Sequence, residues 1–222
     1  MRNNKARPSA KQSTHTSKPA RHSKPASSSV RIIGGQFKRR QLAFIDAEGL
    51  RPTPDRLRET LFNWLMADLF EASVLDCCAG SGVLGFEAIS RGAAHCTFIE
   101  ANSKQSQQLH ASAAQLQLTD AKVQIFTGQA EIILQQHAAQ LSQFDIVFLD
   151  PPYDLDLWLP ILNSLIDNNL LTEQTLVYIE ANRAIEDILT APELTSPYKF
   201  ESLKQSKVGQ IFAGLYQFSL AD

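Results

Sequence analysis

The stretch that decides the fold of this 222-residue chain is Phe144-Asp145-Ile146-Val147-Phe148-Leu149-Asp150-Pro151-Pro152-Tyr153. Its apolar run predicts a buried strand of a parallel sheet over residues 144–149. An acid, two prolines and an aromatic ring therefore follow the carboxyl end of a central strand. Open α/β sheets bind their ligands at that edge, so these four residues are candidate site residues.

The residue types from Asp150 to Tyr153 suit the methylation of an exocyclic amine on a flat base. Such an amine is a poor nucleophile because its lone pair is delocalised into the ring. The Asp150 carboxylate and the Pro151 carbonyl can each accept one N–H, Pro151 and Pro152 stiffen the backbone, and Tyr153 can stack on the base. The alternative is structural: a strand that leaves through a Pro-Pro turn with Asp150 as a local cap.

Strand and helix patterns alternate through most of the chain and predict a doubly wound, Rossmann-like α/β sheet with helices on both faces. The predicted strands are 73–76, 96–100, 123–126, 144–149 and 176–180, and the predicted helices are 83–90, 103–116, 131–139 and 157–167. Two further strands, 199–203 and 211–218, resemble a hairpin and predict an antiparallel end to the sheet.

A glycine-rich loop follows the first parallel strand. Gly80, Gly82 and Gly85 form G-x-G-x-x-G, and Glu100 lies 18 residues beyond Gly82 at the end of the next strand. This pattern fits a dinucleotide, with pyrophosphate at the helix N-terminus, or S-adenosylmethionine, which carries no phosphate. Asp76 favours the second cofactor, because a carboxylate would repel pyrophosphate by about 4 kcal/mol per charge pair at 4 Å and an effective dielectric of 20.

The predicted S-adenosylmethionine contacts follow three neighbouring strands. They are Asp76, Ala79, Gly80, Ser81, Gly82, Glu100, Ala101, Gln129 and Ala130. Glu100 is expected at the ribose hydroxyls, and Gln129 at the adenine amino group, although surface solvation explains Gln129 equally well. The histidines show no metal-ligand spacing, and we expect no metal.

Charge divides the chain sharply: residues 1–58 hold 14 Lys and Arg against 3 acids, and residues 59–222 hold 7 against 20. This asymmetry predicts a polyanionic partner bound through the first quarter of the chain. We expect a disordered basic tail over 1–29, a basic β-hairpin and linker over 30–52, and one catalytic domain over 53–222. The predicted RNA contacts are Arg31, Lys38, Arg39, Arg40, Arg51, Arg56 and Arg58.

Thr53 is predicted to cap the helix that follows the linker, with Pro54 at its first position. Leu57, Leu61 and Leu65 belong to its apolar stripe, and Arg56 and Arg58 fall outside that stripe. Cations gain nothing from the dipole at a helix start, so a phosphate backbone would explain both arginines better than solvation.

The remaining composition indicates a protein of the cytoplasm. Cys77, Cys78 and Cys96 lack Cys-x-x-Cys spacing, and we expect reduced, partly buried thiols. No apolar stretch reaches the length of a membrane span. We expect a monomer.

With both motifs located, the chain resembles the class I S-adenosylmethionine-dependent methyltransferases and, within them, the bacterial small-subunit ribosomal RNA guanine-N2 methyltransferases of the RsmD family. The segments that carry this resemblance are 31–35 (Arg-Ile-Ile-Gly-Gly), 49–53 (Gly-Leu-Arg-Pro-Thr), 55–65, Asp76 with 79–82, and 150–153. The resemblance implies a seven-stranded sheet whose last strand is antiparallel, a basic hairpin that contacts RNA, and transfer to the N2 amine of one guanine in 16S ribosomal RNA. It further implies a partially assembled small subunit as the substrate. Gln129 departs from the Asp or Asn expected near adenine.

Two rival functions fit parts of the sequence. An adenine-N6 methyltransferase acting on RNA or DNA needs the same acceptors for its target amine. A non-catalytic RNA-binding assembly factor would keep the fold alone, and the intact acids and glycines of both motifs argue against it.

Overall fold

The computed structural model describes Met1 and residues 27–45, 53–194 and 198–220. Its strands are β1 Ser27–Arg31, β2 Gln41–Ile45, β3 Ser73–Asp76, β4 His95–Glu100, β5 Val123–Thr127, β6 Ile146–Leu149, β7 Leu176–Ala181, β8 Tyr198–Val208 and β9 Ile211–Leu220. Its α-helices are α1 Asp55–Trp64, α2 Val83–Ser90, α3 Ser103–Gln115, α4 Ala130–Gln136, α5 Trp158–Asp167 and α6 Ile185–Leu189. The short helix α6 was not predicted.

Seven strands form one sheet in the order β5-β4-β3-β6-β7-β9-β8. The first five of these run parallel, and β9, the last strand in the sequence, pairs antiparallel with β7. The predicted doubly wound sheet with an antiparallel last strand is therefore confirmed. The chain order reverses between β3 and β6, which makes the carboxyl ends of those two strands the switch point of the sheet.

Two apolar layers cover the two faces of the sheet. Val74, Phe148 and Tyr178 pack on the side of α1, α2 and α3, and Leu75 and Val147 pack on the opposite side, with α4 and α5. All five side chains are buried. Because neighbouring strand residues point to opposite faces, a continuous apolar run is needed where both faces are covered, and β6 supplies one.

A separate two-stranded antiparallel hairpin, β1–β2, precedes the large sheet. The predicted hairpin is present, but β1 begins at Ser27, three residues before the boundary that composition indicated. The rest of the predicted tail, residues 2–26, and the linker residues 46–52 lie outside the described part of the chain.

The hairpin turn docks on the C-terminal end of α2. Ser90 accepts hydrogen bonds at its backbone oxygen from Gln36 N (2.7 Å) and at its Oγ from Phe37 N (2.9 Å), and its Oγ donates to Gly34 O (2.6 Å). A Cβ on Gly35 (φ +70°) would lie 1.8 Å from the Ser90 carbonyl oxygen. The glycine pair therefore permits a backbone-to-backbone approach that a side chain would prevent.

Candidate active site

Three acids lie at or next to the carboxyl ends of three adjacent parallel strands. Asp76 is the last residue of β3, and Asp150 comes directly after β6. The β6–β7 register pairs Leu149 with Ile179, so the next residues, Asp150 and Glu180, lie side by side. The sheet thus gathers carboxyl groups at its switch point, beside the glycine-rich loop.

The loop after β3 is shaped by its glycines and by Asp76. Gly80 and Gly82 have φ of 51° and 71°, in the left-handed region. A Cβ on Gly82 would lie 2.5 Å from Leu109, and one on Gly85 would lie 2.3 Å from Phe98. Gly82 therefore allows the loop to pack closely against α3, and Gly85 allows α2 to pack closely against β4.

The Asp76 carboxylate lies under this loop. Its side chain is 4% exposed, and its Oδ2 accepts a hydrogen bond of 3.1 Å from Gly85 N. Burial raises the pKa of Asp76 to about 7; the Gly85 bond opposes this shift, and Asp150 and Glu100 add to it. A cationic ligand would restore the charged form of such an acid.

Glu100 fixes the shape of the loop from the end of β4. Its Oε2 accepts from Gly80 N (2.8 Å) and its Oε1 from Asn102 N (2.7 Å). Burial raises its pKa, against these two bonds. Each carboxylate oxygen retains a lone pair, so the predicted contact with ribose hydroxyls stays a prediction.

Gln105 on α3 joins the hairpin to the same loop, and the sequence did not indicate this. Its Nε2 donates to Gly80 O (2.7 Å), and its Oε1 accepts from Ile45 N at the end of β2 (2.9 Å). The side chain is 3% exposed. Its one sequence signal is its position: Gln105 lies four residues before Leu109, so it belongs to the buried face of α3, where a polar side chain is unexpected.

The other predicted cofactor residues lie along the same edge of the sheet. Ala79 and Ser81 are buried in the loop, and Val83 N donates a long hydrogen bond of 3.4 Å to Ser81 Oγ. Ala101 and Gln129 are exposed, Gln129 as the residue before α4, and Ala130 is buried as its first residue. The exposure of Gln129 fits either interpretation of its role.

The residues after Asp150 form a stiff aromatic shelf. Pro151 is buried and Pro152 exposed, and a 3₁₀ turn begins at Tyr153. The Tyr153 ring stacks on Trp158 with centroids 5.9 Å apart and planes 24° apart. Trp158 is itself fixed by a 2.9 Å hydrogen bond from its Nε1 to Glu180 O.

Thr53 contacts two of the strand-end acids, and this corrects its predicted role. Pro54 occupies the position before α1, which has no side-chain cap. Thr53 Oγ1 lies 2.9 Å from Glu180 Oε1 and 3.4 Å from Asp150 Oδ2 instead. Its partner Glu180 is 127 residues away, so no local pattern could have revealed the contact.

Burial raises the pKa of Asp150 to about 7, with the Thr53 bond opposing the shift. The pKa of Glu180 is also raised, first by burial and then by the Asp150 charge, against the hydrogen bonds from Tyr178 and Thr53. Burial and both acids also raise the pKa of the Tyr153 hydroxyl, which keeps it neutral.

The predicted RNA contacts divide into three groups. Lys38, Arg39, Arg40 and Arg56 are exposed. Arg31 is exposed but pairs with Asp55, with 2.7 Å between Nη2 and Oδ2. Arg51 lies outside the described residues.

The prediction that Arg58 contacts phosphate is wrong, because its side chain is completely buried. It donates to Thr53 O (3.1 Å) and Arg31 O (3.0 Å), and pairs with Asp55 at 2.5 Å and with buried Glu87 at 3.6 Å. This cation joins the hairpin, α1 and α2, so its place at a helix start is explained by internal partners.

Within the described residues, no group of three His, Cys, Asp or Glu side chains could hold a metal ion, and no helix there is long and apolar enough to cross a membrane. Cys77, Cys78 and Cys96 are free thiols, two of them buried and Cys78 half-buried, as predicted.

The sheet order and the glycine loop at its switch point define a class I methyltransferase fold. The solved structure of TrmN from Thermus thermophilus shares this fold, with a TM-score of 0.56 at 14% identity over 78% of this chain and 50% of that chain. A family model described as "Conserved hypothetical protein 95" matches residues 30–217. The chain belongs to this family, which is the family of ribosomal RNA small subunit methyltransferase D.

Named relatives match over most of their length. The chain is 41% identical to "Ribosomal RNA small subunit methyltransferase D" of Escherichia coli (strain K12) over 191 residues, which is 86% of this chain and 91% of the relative. It is 37% identical to the protein of the same name from Haemophilus influenzae over 192 residues, covering 86% and 95%. The solved Escherichia coli structure of yhhF has a TM-score of 0.74 at 38% identity, covering 87% of this chain and 99% of that chain.

Proposed function

We propose that this protein transfers a methyl group from S-adenosylmethionine to the exocyclic N2 amine of a guanine in 16S ribosomal RNA. The observation that carries the proposal is the position of Asp150: a strand-end acid between the glycine loop and the aromatic shelf of Tyr153. The names of the relatives support ribosomal RNA of the small subunit as the substrate. The RsmD resemblance supports guanine N2 as the target.

The residues at the switch point suit S-adenosylmethionine better than a phosphate-bearing cofactor. Asp76, Glu100 and Asp150 make this edge acidic, and Asp76 is almost completely buried. A pyrophosphate would be repelled there, whereas a ligand with an ammonium and a sulfonium would be attracted. Asp76 and the loop 79–82 would hold the methionine part, Glu100 the ribose, and Ala101, Gln129 and Ala130 the adenine.

S-adenosylmethionine, when bound, supplies an electrophilic methyl group. Residues of the protein position the nucleophile, which is the amine of the RNA base. Tyr153 offers a ring face to a flipped base, the Asp150 carboxylate accepts one N–H of the amine, and the Pro151 carbonyl accepts the other. With both hydrogens bound, the amine nitrogen keeps its lone pair available. Asp150 or water takes the proton that the product amine releases.

The basic hairpin 30–52 serves as the RNA contact in this proposal. Lys38, Arg39 and Arg40 project from its bend, and Arg56 lies at the start of α1 on the described surface. Phosphate contacts of this type position an RNA without reading its sequence. A partially assembled small subunit in the cytoplasm, bound by one protein monomer, is the proposed substrate.

The test is methyl transfer from tritium-labelled S-adenosylmethionine to naked 16S RNA and to partially assembled subunits, followed by nucleoside analysis. We expect N2-methylguanosine. N6-methyladenosine would identify the adenine-N6 reaction instead, and absence of cofactor binding would identify a non-catalytic RNA-binding assembly factor. Asp150→Ala should abolish transfer and leave cofactor affinity near that of the unchanged protein, whereas equal loss of both would make Asp150 structural.

A further inference from the structure

The hydroxyl of Thr53 lies between two carboxyl groups. Its Oγ1 is 2.9 Å from Glu180 Oε1 and 3.4 Å from Asp150 Oδ2. The Tyr178 hydroxyl lies 2.9 Å from the same Glu180 oxygen. A Tyr-Glu-Thr-Asp chain of hydrogen-bonding groups therefore ends at the acid that the proposed reaction uses.

The number of hydrogens in this chain makes it unfavourable for both carboxyl groups to be ionised. A threonine hydroxyl carries one hydrogen, so it donates to one acid at a time. If both acids were ionised, one would face the hydroxyl oxygen without a hydrogen between them. The arrangement is more favourable when one of the two carries a proton, and two carboxyl groups that share a site in this way ionise one after the other.

The difference in exposure between the two acids favours Glu180 as the one that carries the proton. Its side chain is 1% exposed, while Asp150 is partly open to the edge of the sheet. The charged form costs less where solvent or a ligand can reach it. Burial and the Asp150 charge raise the pKa of Glu180, which agrees with a protonated Glu180.

The surroundings of the two acids do not reverse this order. The titratable groups that interact with Asp150 or Glu180 are Asp76 at the end of β3, Cys78 after it, Tyr153 after β6 and Tyr178 on β7. Each of these is either neutral or negative at pH 7, so no cation among them offsets the effect of burial. The hydrogen bonds from Tyr178 and Thr53 lower the pKa of Glu180, but burial and the Asp150 charge raise it, and the net direction is upward.

We propose that Glu180 is a positioning residue that stays protonated and, through Thr53, holds Asp150 as an ionised acceptor for the substrate amine. This proposal rests on the proposed function. Tyr178 donates to Glu180 Oε1, the Glu180 proton is donated to Thr53 Oγ1, and the Thr53 hydrogen is donated to Asp150 Oδ2. All donors then point toward Asp150, which leaves its remaining lone pairs for the base.

The proton can be located without any reaction. Infrared spectra are compared between the unchanged protein and each variant at pH 8.5, where Asp76 and Asp150, with pKa values of about 7, are mostly ionised. The carbonyl band of a protonated carboxyl group should disappear in Glu180→Gln and persist in Asp150→Asn. The reverse pattern, loss in Asp150→Asn and retention in Glu180→Gln, would overturn the proposal. Because this measurement needs no RNA, it separates the proposal from the proposed function.

Methyl transfer supplies the second test. Glu180→Gln keeps a hydrogen-bond donor toward Thr53, so kcat should stay within about threefold. Thr53→Val removes a hydrogen bond to a charged acceptor and should lower kcat by about 10–100-fold with cofactor affinity unchanged. The Thr53 bond lowers the pKa of Asp150, so its loss raises that pKa. The acid limb of the pH–rate profile of Thr53→Val should therefore move to higher pH. Thr53→Ser should restore both values.

The kinetic outcomes also distinguish failure of the Glu180 proposal from failure of the proposed function. Loss of transfer in Glu180→Gln, in a variant that melts like the unchanged protein, would mean that an ionised Glu180 is required and would contradict the positioning role. An unshifted acid limb in Thr53→Val would contradict it as well. Transfer to adenine instead of guanine would correct the proposed function and leave the Glu180 proposal in force.

Discussion

The Arg58 guanidinium donates a 3.1 Å hydrogen bond to the carbonyl oxygen of Thr53, and so a buried cation fixes the backbone of the residue whose hydroxyl contacts Asp150. The same guanidinium bonds to the carbonyl oxygen of Arg31 in the hairpin. Arg58 therefore connects the proposed RNA-binding element to the proposed catalytic acid through two backbone carbonyls.

Two arginines two residues apart are expected to behave differently. Arg58→Met should lower the free energy of unfolding by about 3–5 kcal/mol, because it leaves buried Glu87 without one of its cations. Exposed Arg56→Ala should change it by less than about 0.5 kcal/mol. Arg56→Ala should instead weaken RNA binding and reduce its salt dependence by about one phosphate contact.

Urea denaturation and RNA binding at several salt concentrations measure these two effects. Retention of full stability in Arg58→Met would contradict the internal role of Arg58. An unchanged salt dependence in Arg56→Ala would remove Arg56 from the RNA contacts.

The glycine pair of the hairpin turn provides the next prediction. Gly35→Ala should destabilise the protein by about 3–5 kcal/mol, because the left-handed backbone is strained and the new Cβ displaces the turn from Ser90, breaking its hydrogen bonds. Gly209→Ala is the matched control: its φ is +62°, but nothing lies within 4 Å of the new Cβ. It should cost only the backbone strain, about 1–2 kcal/mol.

Thermal or urea unfolding of both variants gives the comparison. Equal losses of stability would show that the close approach to Ser90 contributes nothing. In the proposed function, Gly35→Ala should also reduce methyl transfer to RNA while leaving cofactor affinity unchanged.

Sequence patterns predicted the elements of this fold well where the physical signal is local. The strand of Ser73–Asp76 and the helix of Val83–Ser90 agree with β3 and α2 at both ends, because an apolar run and a glycine loop mark their boundaries. The predicted strand start at Phe144 was two residues early, since Phe144 is buried but lies before β6.

Site residues could be predicted from the sequence only where the apolar run of a strand and the acid at its end are adjacent in the chain. Asp76 and Asp150 follow apolar runs, and both lie at the switch point. Glu180 also follows an apolar strand, but its role depends on Thr53, far away in the sequence. Arg58 had a local signal that the leucine stripe obscured: it lies four residues before buried Phe62, so it belongs to the buried face of α1.

Cofactor affinity should depend on pH through Asp76. The pKa of this acid is about 7 in the free protein, and a cationic ligand favours its ionised form. Binding therefore releases a proton below pH 7, and affinity for S-adenosylmethionine should fall by up to about tenfold per pH unit as the pH decreases below 7. Above pH 7 the acid is already ionised, and affinity should level off.

Calorimetry in two buffers with different ionisation enthalpies measures this proton release. Asp76→Asn should bind more weakly at pH 8 and lose most of the pH dependence. Asp150→Asn is the control, because Asp150 has a similar pKa but is proposed to face the base. If Asp150→Asn removed the dependence and Asp76→Asn kept it, the cationic part of the cofactor would have to lie at Asp150.

The ring of Tyr153, and not its hydroxyl, is expected to contribute to base binding. The hydroxyl is neutral because burial and the nearby acids raise its pKa, and the ring is stacked against Trp158. Tyr153→Phe should keep kcat/KM for RNA within about twofold, whereas Tyr153→Ala should lower it by about 5–150-fold, the value of one base–aromatic stack. Both variants should bind S-adenosylmethionine normally, because the proposed cofactor contacts lie on other strands. Steady-state transfer assays give the comparison, and a Tyr153→Phe variant as impaired as Tyr153→Ala would show that the hydroxyl takes part in the reaction.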